Sequence, residues 1–451
     1  MPVPKVATES TATPTLPTPV ATEIRHRYGD VISNRDMALV NARLHHIAER
    51  DGLGVAVLVA WQHGLAIGHI PVEADAETHM LSVPAGEGCP YTFVHVPVRS
   101  IRGDNAELIQ RGIMNPKPEL AGLVSHDDAP WEPGSPASPS LLSVTPLSPN
   151  GHSTTVTPKP CYLCSVAELT PHEASFVIPQ SHHTPTTSRD YAIGFTFAPF
   201  GDPAQVCHFL AWDSPRAGEP VLSMEPTGFS TTDLITLTSR LNDDIAAYCA
   251  RHHLDLAPTI TGVCNHWAGN TIAHQHYQFF SIPAVPLLVA ARQAGEVITA
   301  AEGVRIRRVT SWPAAAYVIE ASPGADVDTQ HVGSVADRFA ASWDAMAPSH
   351  TQNTVAYRCD GADRALVIPR DRHRTTTSPS PSGVRKHNAG VLEMLGYFLI
   401  DDAADQHLIA DLAPAQRTTL GDQWLTALTP PPAAISRLES HIRTNPPILT
   451  S

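Results

Sequence analysis

Hydrophobic and polar positions change period several times along the chain. The stretch RDMALVNARLHHIAERDG puts Leu39, Leu44 and Ile47 on one stripe and closes on Gly52, which predicts an amphipathic helix with a glycine stop. GVAVLVAW and YTFVHVPV are short apolar runs rich in β-branched and aromatic residues, and both read as strands. FTFAPF and VCHFLAW read as paired strands joined at a Gly-Asp-Pro turn. Ser230 with Asp233 three residues on forms an imperfect capping box, and Leu234, Leu237, Leu241, Ile245 and Tyr248 follow at helical spacing. IAHQHYQFFSI reads as a strand, as do RIRRVT, AAYVIEA and ALVIP, with a helix near 333–345. An Arg-rich turn, a polar helix and a Pro-rich end complete the chain.

Proline-rich stretches divide these segments. Residues 1–23, rich in Thr, Pro and Ala, bury too little to order and read as a disordered tail. Residues 24–129 form an N-terminal α/β segment, and 130–160 a Pro/Ser-rich linker or loop. Residues 161–296 hold the chemistry-bearing positions, and 297–451 complete the molecule. Much of the excess of 42 Pro over 27 Gly sits in the tail, the linker and the C-terminal end.

A formal net charge of −14 argues against binding nucleic acid or an anionic membrane by bulk charge. No run of 18 apolar residues predicts a membrane span, and the N-terminus has no apolar signal core. Seven Cys, with one closely spaced pair, do not make a disulfide framework; they point to a reducing cytoplasm. Twenty-four His against 30 Lys and Arg raise the question of which imidazoles do chemistry.

The sharpest signal is AGNTIAHQHYQFFSIP, 268–283. On a strand, alternation projects His274, His276 and Gln278 to one side and Gln275, Tyr277 and Phe279 to the other. A Gly-Asn turn precedes this polar ridge, so the backbone amides of Gly269, Asn270 and Thr271 border a concavity suited to phosphate oxygens. An imidazole in such a place can attack phosphorus while its neighbours orient it. A solvent-facing strand that carries two histidines is the plain alternative.

The run resembles the histidine-triad superfamily, with Asn270 where a Gln is usual and Gln278 in place of the third His. The HxHxQ ending is similar to the transferase branches: galactose-1-phosphate uridylyltransferases, diadenosine-tetraphosphate phosphorylases and GDP-hexose phosphorylases. That resemblance implies an α+β fold, a mostly antiparallel sheet with helices on one side, open to construction from two triad-like halves. It implies His276 as the nucleophile that holds a nucleotidyl group as a phosphoramidate, Gln278 as the hydrogen-bond partner of that phosphate, and His274 as an orienting residue or metal ligand. Gln278, unlike a third His, cannot donate a proton in acid catalysis, which favours transfer over hydrolysis.

Three further segments extend the resemblance, which runs from about Pro160 to Ala410. KPCYLC places Cys161 and Cys164 in CxxC spacing, half of a zinc site, and the resemblance implies structural zinc on that pair and His274. The fourth ligand is open among His208, His182, His183 and His266, and two reduced cysteines without metal are the alternative. Ala198-Pro199-Phe200 stands where the family has Asn-Pro-Phe beside the base and ribose, and His208 falls near the family's His in that segment; core aromatics are the other reading. RALVIPRDRHR and HNAGVLEMLGYFLI gather Arg370, Arg372, Arg374, Arg385 and Lys386, cations suited to a sugar phosphate or β-phosphate or else to a solvated loop. Arg305 and Arg307 share a strand face and read as a phosphate contact or a sheet edge.

The expected activity is nucleotidyl transfer between a nucleotide or nucleotide-sugar and a sugar 1-phosphate, phosphate or pyrophosphate. Nucleotide and sugar-phosphate substrates are the expected partners, without nucleic acid, membrane or organic cofactor, and a homodimer is compatible. The alternatives are hydrolysis of dinucleoside polyphosphates or nucleotide sugars, a nucleotide-binding protein that has lost catalysis, and a metal-binding module. Base and sugar are not encoded in any motif.

Overall fold

The computed structural model describes residues 18–67, 82–83, 85–86, 88–95, 141–143, 157–159, 178–179, 191–195, 207–213, 230–255, 257–266, 276–281, 285–293, 295–371, 374, 384, 389–400 and 403–447. The described residues begin with four helices: α1 (Thr18–Arg27), α2 (Gly29–Ile32), α3 (Met37–Arg50) and α4 (Leu53–Ile67). Seven short strands follow: β1 (Ser82–Val83), β2 (Thr92–His95), β3 (Leu141–Ser143), β4 (Thr157–Lys159), β5 (Ile178–Pro179), β6 (Tyr191–Phe195) and β7 (His208–Asp213). Helix α5 (Thr231–Arg251) leads to β8 (Thr261–Cys264) and β9 (His276–Phe280). Then come α6 (Pro286–Ala291), β10 (Glu296–Ala301), β11 (Val304–Arg308), β12 (Tyr317–Ala321), α7 (Thr329–Asp344), β13 (His350–Cys359) and β14 (Ala362–Asp371). The C-terminal part holds α8 (Val391–Met394), β15 (Tyr397–Ile400), α9 (Ala403–Asp411), α10 (Pro414–Leu428) and α11 (Pro432–Thr444).

Ten strands form one antiparallel sheet in the order β10-β11-β12-β14-β13-β8-β9-β7-β6-β5. That order contains the same unit twice. In each half three strands pair in sequence, a helix crosses, and two strands return so that the last pairs with the third. The first half is β5-β6-β7, α5, β8, β9; the second is β10-β11-β12, α7, β13, β14. The halves meet where β8 pairs with β13 through Cys264↔Thr354, Val263↔Val355 and Gly262↔Ala356. This two-halved plan agrees with the α+β, mostly antiparallel architecture expected above.

The helices of the two units pack on the same face. Ser230 caps α5 by accepting from Asp233 N at 3.0 Å, as its capping box predicts, and Leu234, Leu237, Leu241, Ile245 and Tyr248 are all buried. From α7, Asp337 accepts from the backbone of Thr231 and Thr232, which ties one helix start to the other helix. Helices α3 and α4 join this layer. GVAVLVAW, expected as a strand, lies within α4, which is buried on all sides among α1, α2, α3 and α5. A helix with no polar face loses its 3.6-residue signature, and its β-branched content then imitates a strand. Gly52, at φ +105°, ends α3 as expected, and Gly54 lets α4 approach α5 so closely that a Cβ there would lie 2.4 Å from Leu241 O. Leu39, placed on the apolar stripe of α3, is exposed, while Val40, Leu44 and Ile47 face the core.

Helices on one side alone does not describe the molecule. The opposite face of the sheet carries a second core in which Val263, Val318, Val355, Leu366 and Ile368 meet α6, α8, α10 and strands β2 and β15. Strands β13 and β14 are buried along most of their length on both faces, so the sheet needs a cover on each side. Strand β15 pairs in parallel with β2, bringing the N-terminal and C-terminal parts into one three-stranded sheet. Residues 18–23, read as disordered tail, begin α1, and Val20 is fully buried. Most of 130–160 lies outside the described residues, apart from the β3–β4 pair. The polar helix expected at the C-terminus is three helices, α9 to α11. No helix among the described residues is long and apolar enough to cross a membrane.

Candidate functional site

Strand β9 is fixed from the helix side. Tyr277 donates to Ser230 O at 2.9 Å and lies 3.2 Å, hydroxyl to hydroxyl, from Tyr191, which donates to Asp233 at 2.7 Å. Phe279 stacks on Phe209 at 5.1 Å. With Tyr277 and Phe279 held in that core, alternation turns His276 and Gln278 to the opposite face. His276 is 6% exposed and Gln278 half-buried.

Strand β7 supplies the neighbours on that face. Its register sets Trp212 opposite His276, Leu210 opposite Gln278 and His208 opposite Phe280. His208 is buried beside the Gln278 amide. Burial pulls its imidazole down to a pKa of about 3, and the Gln278 contact only partly opposes this. His208 is therefore a neutral hydrogen-bonding group at physiological pH, not an acid.

On the other flank β8 pairs with β9 through Gly262↔Phe279 and Val263↔Gln278, and that register, carried two residues beyond the last paired position, aligns Asn265 with His276. Asn265 leads into the second half. Its Oδ1 accepts from Val391 N at 2.6 Å and from Asn353 Nδ2 at 3.0 Å; the Asn353 Oδ1 accepts from Arg370 Nη1 at 2.7 Å. Arg370 also donates to Ala389 O at 3.2 Å, and its Nε has no hydrogen-bond partner. The guanidinium is 5% exposed, and burial lowers its pKa to about 10, with Glu393 nearby partly opposing that shift. Glu393 accepts from Gly390 N at 2.8 Å. Among the described residues no carboxylate lies within ion-pair distance of the Arg370 guanidinium, and a buried cation so placed is costly, which marks Arg370 as a position under functional demand.

The expected cations separate in the structure. Arg370 belongs to the buried network, whereas Arg374 donates to Ala427 O at 2.9 Å near the end of α10. Arg305 and Arg307 are not on a sheet edge, since β10 flanks β11; they share the Glu320 carboxylate with Arg364, at 2.9, 3.2 and 3.0 Å. Arg307 further donates to Gln293 O and Ala291 O, each at 2.7 Å, so it secures the end of α6. These contacts make Arg305 and Arg307 an internal ion-pair cluster.

His274, Gly269, Asn270, Thr271, Cys161, Cys164, His182, His183, Arg372, Arg385 and Lys386 lie outside the described residues, as do Ala198, Pro199 and Phe200. The donor set expected for zinc lies among these, and no group of three or more His, Cys, Asp or Glu able to hold a metal occurs among the described residues. The five described cysteines, Cys89, Cys207, Cys249, Cys264 and Cys359, are buried and unpaired by disulfides. No local motif marks Asn265 or Asn353, because they converge only through the β8–β13 junction; Glu393 lies within the HNAGVLEMLGYFLI segment.

No family model matches the chain, and no curated protein matches it. Two solved structures are similar. One is the crystal structure of yeast Ap4A phosphorylase in complex with Ap4A, 12% identical, with a TM-score of 0.45 over 83% of this chain and 96% of that chain. The other is a DUF4931 family protein from Bacillus cereus ATCC 10987, 8% identical, with a TM-score of 0.29 over 54% of this chain and 99% of that chain. At those scores neither likeness bears on what this chain does.

Proposed function

We propose that the protein is a nucleotidyltransferase that carries an NMP group on His276. The observation that supports this most directly is the shared face of β9: His276 and Gln278 stand together on it, beside a neutral His208, while Tyr277 and Phe279 anchor the strand from behind. The HxHxQ resemblance gives that geometry a chemistry.

In the first half-reaction an imidazole nitrogen of His276 attacks the α-phosphorus of a nucleotide or nucleotide-sugar. A P–N bond forms as the P–O bond to the leaving group breaks, and the leaving oxygen keeps the electron pair. Gln278 donates its amide hydrogens to the transferred phosphoryl oxygens, and its carboxamide is held by the neighbouring His208. His274 orients the nucleophile, and the Gly269, Asn270 and Thr271 amides receive phosphate oxygens. In the second half-reaction an oxygen of a sugar 1-phosphate, phosphate or pyrophosphate attacks the same phosphorus and the P–N bond breaks. Neither Gln278 nor neutral His208 supplies a proton at neutral pH, so an acceptor that arrives already ionised suits the site better than water. Arg370, Arg372 and Lys386 contribute positive charge from the second half. Zinc, were it bound, would be held by Cys161 and Cys164, with His274 joining them only in place of its orienting role, and would supply a structural link through which no step passes.

The test is covalent labelling. Purified protein is mixed with α-labelled ATP, GTP, UTP and NDP-hexoses, and the denatured protein is assayed for acid-labile, base-stable label. Label on wild-type protein and none on His276→Ala is the expected result. Rapid turnover of one of these nucleotides with no retained label would refute the covalent route.

A further inference from the structure

We propose that the N-terminal end of β14 holds a phosphate-binding site, built from Arg364, Tyr357 and Arg292 and separate from the transfer chemistry on β9. The register assembles it. Arg305 stands opposite Glu320 and Tyr357 opposite Arg364, and one step beyond Ile319↔Ala365 sets Glu320 level with Arg364. The four side chains form one row across β11, β12, β14 and β13, on the face that carries the second core. Arg370 lies at the other end of β14, about 20 Å along the strand, so the row is remote from the network that borders His276.

Two polar groups of the row lack hydrogen-bond partners among the described residues. Arg364 Nε, buried and 3.0 Å from Glu320 Oε2, makes no hydrogen bond, and Nη2 is 3.8 Å from Asp360 Oδ2, beyond hydrogen-bond reach. Tyr357 is 3% exposed, and its hydroxyl is likewise buried without a partner. Burial raises that phenol while the Arg364 charge pulls against the rise, which sets the two groups side by side. Groups buried in this way cost stability until something accepts from them. The phenol hydrogen and the guanidinium N–H groups are all donors, and one oxyanion accepts from both.

The surrounding charge has the matching sign. Glu320 is shared among Arg305, Arg307 and Arg364. Arg292, exposed just past α6, adds a fourth guanidinium. Burial and Asp360 raise the thiol of Cys359, which follows Tyr357 on the same face of β13, while the charges of Arg364 and Arg292 oppose them. Four guanidiniums thus face two carboxylates, Glu320 and Asp360. A guanidinium fork, a hydroxyl donor and surplus positive charge match a phosphate, which brings several acceptor oxygens and up to about two negative charges. The way in is the β13–β14 turn, where Ala362, opposite Cys359, is small and exposed. Asp360, on the same turn and 79% exposed, is the carboxylate that opposes an incoming anion.

Equilibrium dialysis of the full chain against labelled inorganic phosphate, in sulfate-free buffer, tests the site. Tyr357→Phe removes one hydrogen bond to the ion, leaves the Glu320 pairs intact and should weaken uptake about tenfold. Arg364→Lys keeps a charge beside Glu320 but loses the fork, and should weaken it by about as much. Asp360→Asn removes the opposing charge, and asparagine tolerates the left-handed backbone of that turn, φ +53°. It should tighten uptake about fivefold, a gain that misfolding cannot imitate. His276→Ala should leave uptake unchanged. Labelled methyl phosphate, dialysed in parallel, distinguishes the source of the ligand: equal uptake identifies the phosphate end of a larger molecule, uptake of inorganic phosphate alone identifies the free ion, and either supports the site. No uptake by the wild type at about 10 mM phosphate, or uptake unmoved by Tyr357→Phe and Asp360→Asn, would overturn the proposal. Uptake lost in His276→Ala would overturn it as well, by placing the ion at the transfer site.

Discussion

His208 on β7 lies against the Gln278 amide of β9 on the one face of the sheet that also carries His276, and its burial keeps the imidazole neutral down to a pKa of about 3. An unfolded imidazole titrates near 6.5, so between about pH 3 and 6.5 the unfolded chain binds the extra proton. The stabilising contribution of a neutral His208 is therefore complete above pH 6.5 and is lost as pH falls toward 3, a difference on the order of several kcal/mol at its limit. His208→Asn should flatten the fall in melting temperature between pH 7 and pH 4 while leaving the shape of the activity profile from pH 6 to 9 unchanged. A new limb in that profile would show that His208 titrates in the working range.

Gln278 is the second lever on the chemistry. A carboxamide can hold the transferred phosphate but cannot protonate a leaving group or activate water. Gln278→His would place a titratable imidazole two residues from His276, on the same face. The ratio of hydrolysis to transfer, measured as free NMP against product formed with a sugar 1-phosphate, should rise about tenfold or more. An unchanged ratio would mean that the residue at 278 does not select the acceptor.

Asp344, at the end of α7, should report on stability from the opposite direction. Burial raises its carboxyl to a pKa of about 7, and a hydrogen bond from Gln352 only partly offsets this. The folded state thus prefers the protonated form: the contribution is fully present below about pH 4 and is lost as pH rises through 7. Denaturant titrations of the wild type should show lower stability at pH 8 than at pH 5 from this group, and Asp344→Asn should narrow that gap by raising the pH 8 value. Equal effects of the substitution at both pH values would contradict the assignment.

The alternation of His276, Tyr277, Gln278 and Phe279 was legible because a strand has a period of two and the sequence obeys it. Helix α5 was legible for the same kind of reason, with Ser230, Asp233 and the leucine stripe all agreeing. Strand β13 was not. It begins His-Thr-Gln-Asn-Thr, and a run of polar residues gives no apolar period, yet Thr351, Gln352, Asn353 and Thr354 are all buried. Their burial depends on hydrogen bonds with distant residues, such as Asn353 to Asn265 and Arg370 to Asn353, and pairings across 88 and 17 residues leave no local trace. Arg370 illustrates the limit: its neighbours in sequence suggest a solvated basic turn, while its place opposite Thr351 puts it in the core.

Glu320 holds three guanidiniums on the second half of the sheet, from Arg305, Arg307 and Arg364, and is itself nearly inaccessible to solvent. Removing one member of a buried ionic group strands the rest, which costs more than the group contributes as a whole. Glu320→Gln leaves three cations facing one neutral amide, so unfolding in urea should show a loss of about 3–5 kcal/mol. Arg307→Met should cost less on the charge side, because Arg305 and Arg364 still balance the carboxylate. It also frees the Ala291 and Gln293 carbonyls that Arg307 clasps, and α6 should loosen. Hydrogen exchange over 286–291 separates the two effects: faster exchange in Arg307→Met than in Glu320→Gln would show that the clasp on α6 belongs to Arg307, and equal rates would show that the helix is held only through the shared carboxylate.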